Sequence, residues 1–371
     1  DHYCCSNTDD EAMLHGLISA VPLEQRRHVV VATRNHAAQS PLKAQGITLI
    51  PPAIQPVLRH LKNADGLVLG GGTHFHDDYV GLRYWRHYRY MARFVVLNLI
   101  ARLMGKKVLW LGMGLGPFSR GTTRWLTQLG VALCDAVTVR ESASLAEANQ
   151  LNNASKVRLS FDLAALLQLD LSPVAERANI LGISVMSMSN LKTDGSALND
   201  HYLEHLSQTL DALLTADATL QVRIFLIRGG ERESDVQMST ELYEQLHRQY
   251  RDRVRLVPYN SDPLIIAREI GACRAFMATR FHAALLSYLC GCRLLFLAYH
   301  RKVADLAGEI GLHPDAVLPM TTDLSTETLR NRLTRLVSAK DWYQPTLEVS
   351  EAVRRAQESI AIWREQEESL S

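Results

Sequence analysis

Residues 275–302 read AFMATRFHAALLSYLCGCRLLFLAYHRK. Ala275 to Ala278 is a short apolar run of strand length, Ala283 to Leu289 is an apolar helix, and Arg293 to Leu297 is a second strand. A strand, a helix and another strand in immediate succession form a βαβ unit. The near-continuous apolarity of both strands predicts that they are buried on both faces, as in a parallel sheet. Arg280 and His282 fall where the first strand ends and the helix begins, and Lys302 follows the exit of the next strand. An exposed helix start offers N–H groups without helical partners and the positive end of the helix dipole. Arg280 adds a planar fork for carboxylate or phosphate, and His282 can give or take a proton near neutral pH. This set suits a small anion carrying several charges. The plainer alternative is that Arg280 and Lys302 are surface charges and His282 is a capping residue.

The same alternation extends in both directions. Further strands are expected at His28 to Ala32, Gly66 to Leu69, Lys107 to Leu111, Ala136 to Val139, Asn179 to Val185, Val222 to Ile227 and Val254 to Val257. Helices are expected at Asp10 to Val21, Tyr84 to Met104, Thr122 to Cys134, Leu203 to Thr215, Ser239 to Tyr250 and Lys302 to Ile310. The alternation runs twice, with a turn at Asp170-Leu171-Ser172-Pro173 between the rounds. The fold expected is α/β, with two doubly wound Rossmann-like domains facing a cleft, over residues 1–170 and 171–345. A last helix within residues 346–371 is expected to pack back across them.

The 371 residues carry 40 Lys and Arg against 39 Asp and Glu, a net charge of +1, which argues against a general binder of nucleic acid. With 47% hydrophobic and 21% charged residues, the composition is that of a globular chain with sizeable cores. No apolar run approaches the ~18 residues of a membrane span, and Phe94 to Met104 is interrupted by Asn98 and Arg102. The sequence opens at Asp1 without an apolar leader, so a cytoplasmic location is expected. Cys4, Cys5, Cys134, Cys273, Cys290 and Cys292 form no C-x-x-C pair, and each is read as a small buried hydrophobe rather than a zinc ligand.

Two glycine turns follow strands. Gly70-Gly71-Gly72-Thr73 precedes His74, His76, Asp77 and Asp78. It is neither a Walker loop nor a dinucleotide fingerprint, and it reads as a tight turn or a loop whose Asp77 or Asp78 bonds sugar hydroxyls, with no metal. Gly112-x-Gly114-x-Gly116-Pro117 stands at another strand exit, with a ligand loop and a simple bend equally in view.

Taken in order, these segments resemble the polysaccharide pyruvyl transferase family. The matching pieces are Asn7-Thr8-Asp9-Asp10-Glu11-Ala12, Gly70 to Thr73, Gly112 to Pro117, Val139-Arg140-Glu141-Ser142-Ala143-Ser144, Phe161-Asp162, Arg280-Phe281-His282-Ala283 and Tyr299-His300-Arg301-Lys302. Each is weak alone, but seven in order from Asn7 to Gly311 are specific. The resemblance implies a GT-B-like fold and transfer of pyruvate from phosphoenolpyruvate to a pair of sugar hydroxyls as a ketal. No metal or organic cofactor is implied. It implies a donor pocket of Arg140, Arg280, His282 and Lys302, with His282 as acid and Arg280 as a catalytic clamp. Acceptor-side candidates are Asn7, Asp10, Glu11, Gly71, Gly72, Thr73 and Asp77. The acceptor implied is a lipid-linked or free oligosaccharide on the way to a surface polysaccharide. A nucleotide-sugar glycosyltransferase and a non-catalytic relative are the alternatives. Two positions depart from the family pattern. Asp9 stands where Gly is usual, and Met186 stands where a basic residue is common, leaving Arg228 as the candidate replacement.

Arg83, Arg86, Arg89 and Arg93 share a broad helical face, with Tyr84, Trp85, Tyr88, Tyr90 and Phe94 interleaved. That face is a candidate for peripheral contact with an anionic membrane, or is simply a solvated basic face.

Overall fold

The computed structural model describes residues 7–33, 40–152, 154–169, 177–187, 195–229, 235–321, 324–338 and 344–368. The chain divides into two compact units. One comprises Ala12–Gln168 with the segment from Ser350 onward, and the other comprises Leu169–Val349 with the segment that ends at Glu11.

The first unit runs α1 (Thr8–Ser19), β1 (Val30–Ala32), α2 (Ser40–Ala44), β2 (Thr48–Ile50), α3 (Ile54–Leu61), β3 (Gly66–Gly70), β4 (Thr73–Phe75), α4 (Gly81–Leu103), β5 (Lys107–Leu115), α5 (Gly121–Leu133), β6 (Ala136–Val139), α6 (Ser142–Ala148) and β7 (Val157–Leu159). Its main sheet has the order β3-β5-β6-β7 with β4 also along β5, and β1 and β2 form a separate pair. Every pairing is parallel. Trp110 is fully buried on β5 and stacks on Phe75 at 4.4 Å. A side chain at Gly130 of α5 would meet the indole at 2.5 Å, so the helix must carry Gly where it crosses Trp110.

The second unit runs β8 (Ile180–Ser184), α7 (Gly195–Ala216), β9 (Gln221–Phe225), α8 (Val236–His247), β10 (Val254–Val257), α9 (Pro263–Gly271), β11 (Ala275–Ala278), α10 (Phe281–Leu289), β12 (Arg293–Ala298), α11 (Arg301–Glu309), β13 (Val317–Pro319) and α12 (Thr326–Ser338). The sheet order is β10-β9-β8-β11-β12-β13, all parallel. Strands therefore progress outward in opposite directions from the β8–β11 pair, the doubly wound Rossmann order. In such a sheet ligands bind outside the carboxyl ends of the strands, where the order reverses.

α13 (Val349–Glu368) returns to the first unit, where Ser359 Oγ lies 2.7 Å from Thr138 Oγ1 and 2.9 Å from Ser160 Oγ. One expected boundary moves. Chain order puts residues 7–11 with the span 1–170, yet they group with the second unit. Thr8 donates both its N–H and its hydroxyl to Ile227 O, and Asn7 bridges Arg228, so backbone bonding beyond β9 holds them there.

Cys134, Cys273, Cys290 and Cys292 are free and buried, and Cys4 and Cys5 lie outside the described residues. Among the described residues no helix is long and apolar enough to cross a membrane.

Candidate functional site

The switch point in the second unit is built by hydrogen bonds between the ends of β8 and β11. Thr279 N–H donates to Ser184 Oγ at 3.1 Å, and Thr279 Oγ1 donates to Ser184 O at 2.7 Å. Arg280 then turns the chain with extended backbone (φ −85°, ψ 146°) and caps α10. Its guanidinium is buried. Nε donates to both carboxylate oxygens of Asp235 at 2.7 Å, and Nη2 lies 2.6 Å from Oδ1. Asp235 is itself fully buried and accepts the Arg228 N–H at 3.1 Å. The fork expected to grip a ligand thus grips Asp235. Burial alone would lower the Arg280 pKa, and the carboxylate more than offsets this, so the guanidinium stays charged. A cation this deep requires a counter-ion within the fold, and the residue before α8 supplies it.

His282 follows within the first turn of α10. It does not sit at an exposed helix start as expected. It is 3% exposed, with its ring edge-on to Phe281 at 4.9 Å. Its Nδ1 lies 3.1 Å from Asp9 Oδ1. Asp9, Asp10 and Glu11 occupy the first turn of α1, where the helix dipole favours negative charge. Asn7 organises this turn by donating to Asp10 Oδ2 at 3.2 Å and accepting the Asp9 N–H at 3.3 Å. Tyr259 Oη donates to Glu11 Oε1 at 2.5 Å.

Three adjacent carboxyls cannot all ionise away from water, and here they diverge. Burial pushes Asp9 up, but His282, with Arg280 and Arg228 beyond it, outweighs that and holds Asp9 at about 2. Burial and the charge of Asp9 raise Asp10 to about 6. Burial raises Glu11 to about 8, against the pull of the Tyr259 bond and with the added push of Asp10 and Asp9. The turn therefore holds one firm anion, one group that titrates just below neutrality, and one that keeps its proton at pH 7. Beside them Tyr299 is pushed up to about 12, chiefly by burial. Lys302 stands in the first turn of α11, where His300 Nδ1 caps its N–H at 3.2 Å.

The structure thus gathers Asn7, Asp9, Asp10, Glu11, Arg280 and His282 in one unit, with Lys302 at the next strand exit. The other predicted residues lie in the first unit. Arg140 is buried at the end of β6, bonded to Asp162 at 2.9 Å, Glu141 at 3.1 Å and Thr73 Oγ1 at 3.2 Å. Gly71 and Gly72 have φ of +67° and +78°, and a side chain at Gly71 would meet Met13 Sδ at 2.5 Å. Asp77, an acceptor-side candidate, has its carboxylate filled by three donors: Ser119 N–H and Oγ at 3.0 Å each and Arg120 N–H at 2.7 Å. It thereby fixes the entry to α5. The Gly112–Gly116 segment forms no separate loop: β5 runs through it to Leu115, and a side chain at Gly114 would meet Thr73 Oγ1 at 2.5 Å. Among the described residues no group of His, Cys, Asp or Glu could hold a metal ion.

Sequence reasoning missed Asp235 and Tyr259. Neither lies in a motif, and each reaches the site from a different strand exit. Asp9 does carry a signal, because it departs from the family pattern, and Arg228 carries an indirect one, as the candidate replacement for the basic residue absent at Met186.

No curated protein sequence is significantly similar to the chain. HepE from Anabaena, crystallised with UDP and glucose, superposes with a TM-score of 0.54 at 15% identity, covering 97% of this chain and 95% of the other. The UDP-GlcNAc 2-epimerase of Neisseria meningitidis superposes at 0.58 with 11% identity, covering 95% and 97%. A further UDP-N-acetylglucosamine 2-epimerase reaches 0.61 at 12% identity, covering 96% and 94%. These likenesses show the fold, two Rossmann-like domains of the GT-B kind. The family model for polysaccharide pyruvyl transferase matches residues 10–301, a span that contains β3 to β12 with Arg140, Arg280 and His282. On that match across most of its length, this chain is a member of the polysaccharide pyruvyl transferase family.

Proposed function

We propose that the protein transfers the pyruvyl group of phosphoenolpyruvate to two hydroxyls of a sugar in a surface-polysaccharide precursor, releasing phosphate. The observation that carries this reading is the Asp9–His282 pair beside Arg280 at the start of α10, within a chain of this family. His282 protonates the CH₂ carbon of the enol, which becomes the methyl group and leaves an oxocarbenium-like centre at the adjoining carbon. The first hydroxyl attacks that centre and gives up its proton. The C–O bond to phosphate then breaks, and the second hydroxyl closes the ketal. Of the two hydroxyl protons, one replaces that spent on the methyl group and the other leaves on phosphate.

The roles follow from charge. Asp9 stays ionised and favours the protonated imidazole that the first step needs. Asp10, raised to about 6, is the group suited to accept a hydroxyl proton at neutral pH. Arg280 contributes a fixed positive charge toward the anionic donor and holds Asp235, while Lys302 is assigned to the donor's phosphate or carboxylate. Arg140 is assigned to maintaining the first unit rather than to the donor. No metal or organic cofactor enters this scheme.

The experiment is thermal stability of the full chain with phosphoenolpyruvate and, in parallel, with UDP-N-acetylglucosamine. A rise with phosphoenolpyruvate that is absent in Arg280→Ala supports the reading, because a ligand that binds the native state stabilises it. A rise with the nucleotide sugar alone replaces it with a glycosyltransferase, the reading favoured by the UDP bound in the HepE structure.

A further inference from the structure

α4 and α5 lie side by side in the first unit, tied at their starts by Tyr84 Oη, which is 2.6 Å from Thr122 Oγ1. Their inner sides hold Met91, Val95, Leu126 and Val131 in the core. Their outer sides are unusual for a soluble surface. On α4, Leu82 is 84% exposed, Trp85 57% and Leu103 79%, with Val96 and Leu99 also exposed. On α5, Trp125 is 59% exposed, and Leu129 lies one turn further on. Leu82, Trp85, Val96, Leu99 and Leu103 stand three, eleven, three and four residues apart in turn, each close to a whole number of helical turns, so they share one stripe of the helix. An exposed apolar stripe continued onto a second helix marks an interaction surface.

Charge selects the occupant. Arg83, Arg86, Arg89 and Arg93 are exposed on α4. Neither Gly81–Leu103 nor Gly121–Leu133 contains a single Asp or Glu. A second copy of the chain docked about a two-fold axis on α4 would set Arg86 and Arg89 against their own counterparts, and neither helix brings a carboxylate to that seam. Single-stranded nucleic acid would need stacking rings along the groove, whereas the second half of the stripe is aliphatic. We infer that the outer face of α4 and α5 is a docking surface for an anionic lipid bilayer, with Trp85, Trp125 and the leucines entering the headgroup boundary and the arginines meeting lipid phosphates. This inference does not depend on the transferase reading, since it concerns a surface in the first unit and uses none of the residues assigned to the chemistry.

The test is flotation of the full chain with vesicles of phosphatidylglycerol and phosphatidylcholine, beside vesicles of phosphatidylcholine alone, without donor or sugar present. The expected result is co-flotation with the anionic vesicles alone, lost at high salt. Arg86→Gln with Arg89→Gln should weaken partition about thirtyfold. Trp85→Ala with Trp125→Ala should weaken it about tenfold, and circular dichroism would confirm that both variants are folded. No flotation, equal flotation with both vesicle types, or binding that the variants leave unchanged overturns the inference. So does a dimer in solution that the same variants convert to a monomer, or retention of a single-stranded oligonucleotide in place of vesicles.

Discussion

Arg140 and Arg280 occupy equivalent places in two different sheets. Each follows the carboxyl end of a buried parallel strand, β6 or β11, each precedes a short helix, α6 or α10, and they are 4% and 5% exposed. What the fold gives each of them differs. Arg140 meets two carboxylates, Asp162 and Glu141, and the Thr73 hydroxyl. Arg280 grips the carboxylate of Asp235, and the groups around it are titratable: Asp9, Tyr299 and, through Asp9, His282. An arginine at a strand exit is therefore an anion site by position alone. Both forks are held by carboxylates of the fold, and the two sites differ in the titratable groups that stand beside Arg280.

The largest effect that tests this contrast is on turnover. His282→Gln removes the proposed proton donor and keeps the bulk of a buried ring site. Transfer from phosphoenolpyruvate should fall about 10²- to 10⁴-fold in protein that circular dichroism shows to be folded, and ordinary turnover in this variant would end the acid assignment. Arg140→Met should act in the opposite sense. It leaves buried Asp162 and half-buried Glu141 without their cation, and breaking a buried pair costs about 3–5 kcal/mol. A fall of roughly 10 °C in thermal midpoint is expected, with phosphoenolpyruvate still bound below that temperature. If stability holds and donor binding vanishes instead, the two arginines serve one ligand and the contrast fails. Arg280→Lys is milder. It keeps the charge but loses the planar grip on Asp235, so titration calorimetry should show phosphoenolpyruvate binding weakened about tenfold. Unchanged affinity would make the Asp235 contact irrelevant to the donor.

Much of this contrast was legible in the sequence, and the missing part has a physical cause. Ala136 to Val139, Val254 to Val257 and Ala275 to Ala278 are strands with the bounds their apolar runs suggest. Short edge or flanking strands such as Thr48–Ile50, Thr73–Phe75 and Val317–Pro319 went unread, because three residues give no periodicity. Strand-exit positions of Arg140, Arg280 and His282 followed from those runs. The partners of Arg280 and His282 did not: Asp235 lies 45 residues before Arg280, at another strand exit, and Asp9 lies 273 residues before His282, at a helix start near the beginning of the chain. A local pattern reports where a side chain begins. It does not report which charge from a distant segment will fill its hydrogen bonds.

The smallest effect concerns the proton held on Glu11. Its carboxyl is raised from an ordinary 4.5 to about 8 by burial, with Asp10 and Asp9 adding to the rise and the Tyr259 bond opposing it. Between those values the native state binds the proton more tightly than the unfolded chain, so stability falls as pH rises through that window. Asp10, raised from 3.8 to about 6, adds to the fall over the lower part of it. Asp9 has the opposite sign: its folded pKa of about 2 gives stability that is complete above 3.8 and lost as pH drops toward 2. The wild type should therefore be most stable on the acid side of neutrality. Glu11→Gln keeps an amide oxygen for Tyr259 but cannot ionise. Its urea midpoint should decline less between pH 6 and pH 8 than that of the wild type, the difference amounting to about 1.4 kcal/mol per pH unit at most. Parallel declines in the two proteins would mean that Glu11 holds no proton at pH 7. The distinction between the two buried arginines would then rest on His282 and its partner Asp9 alone.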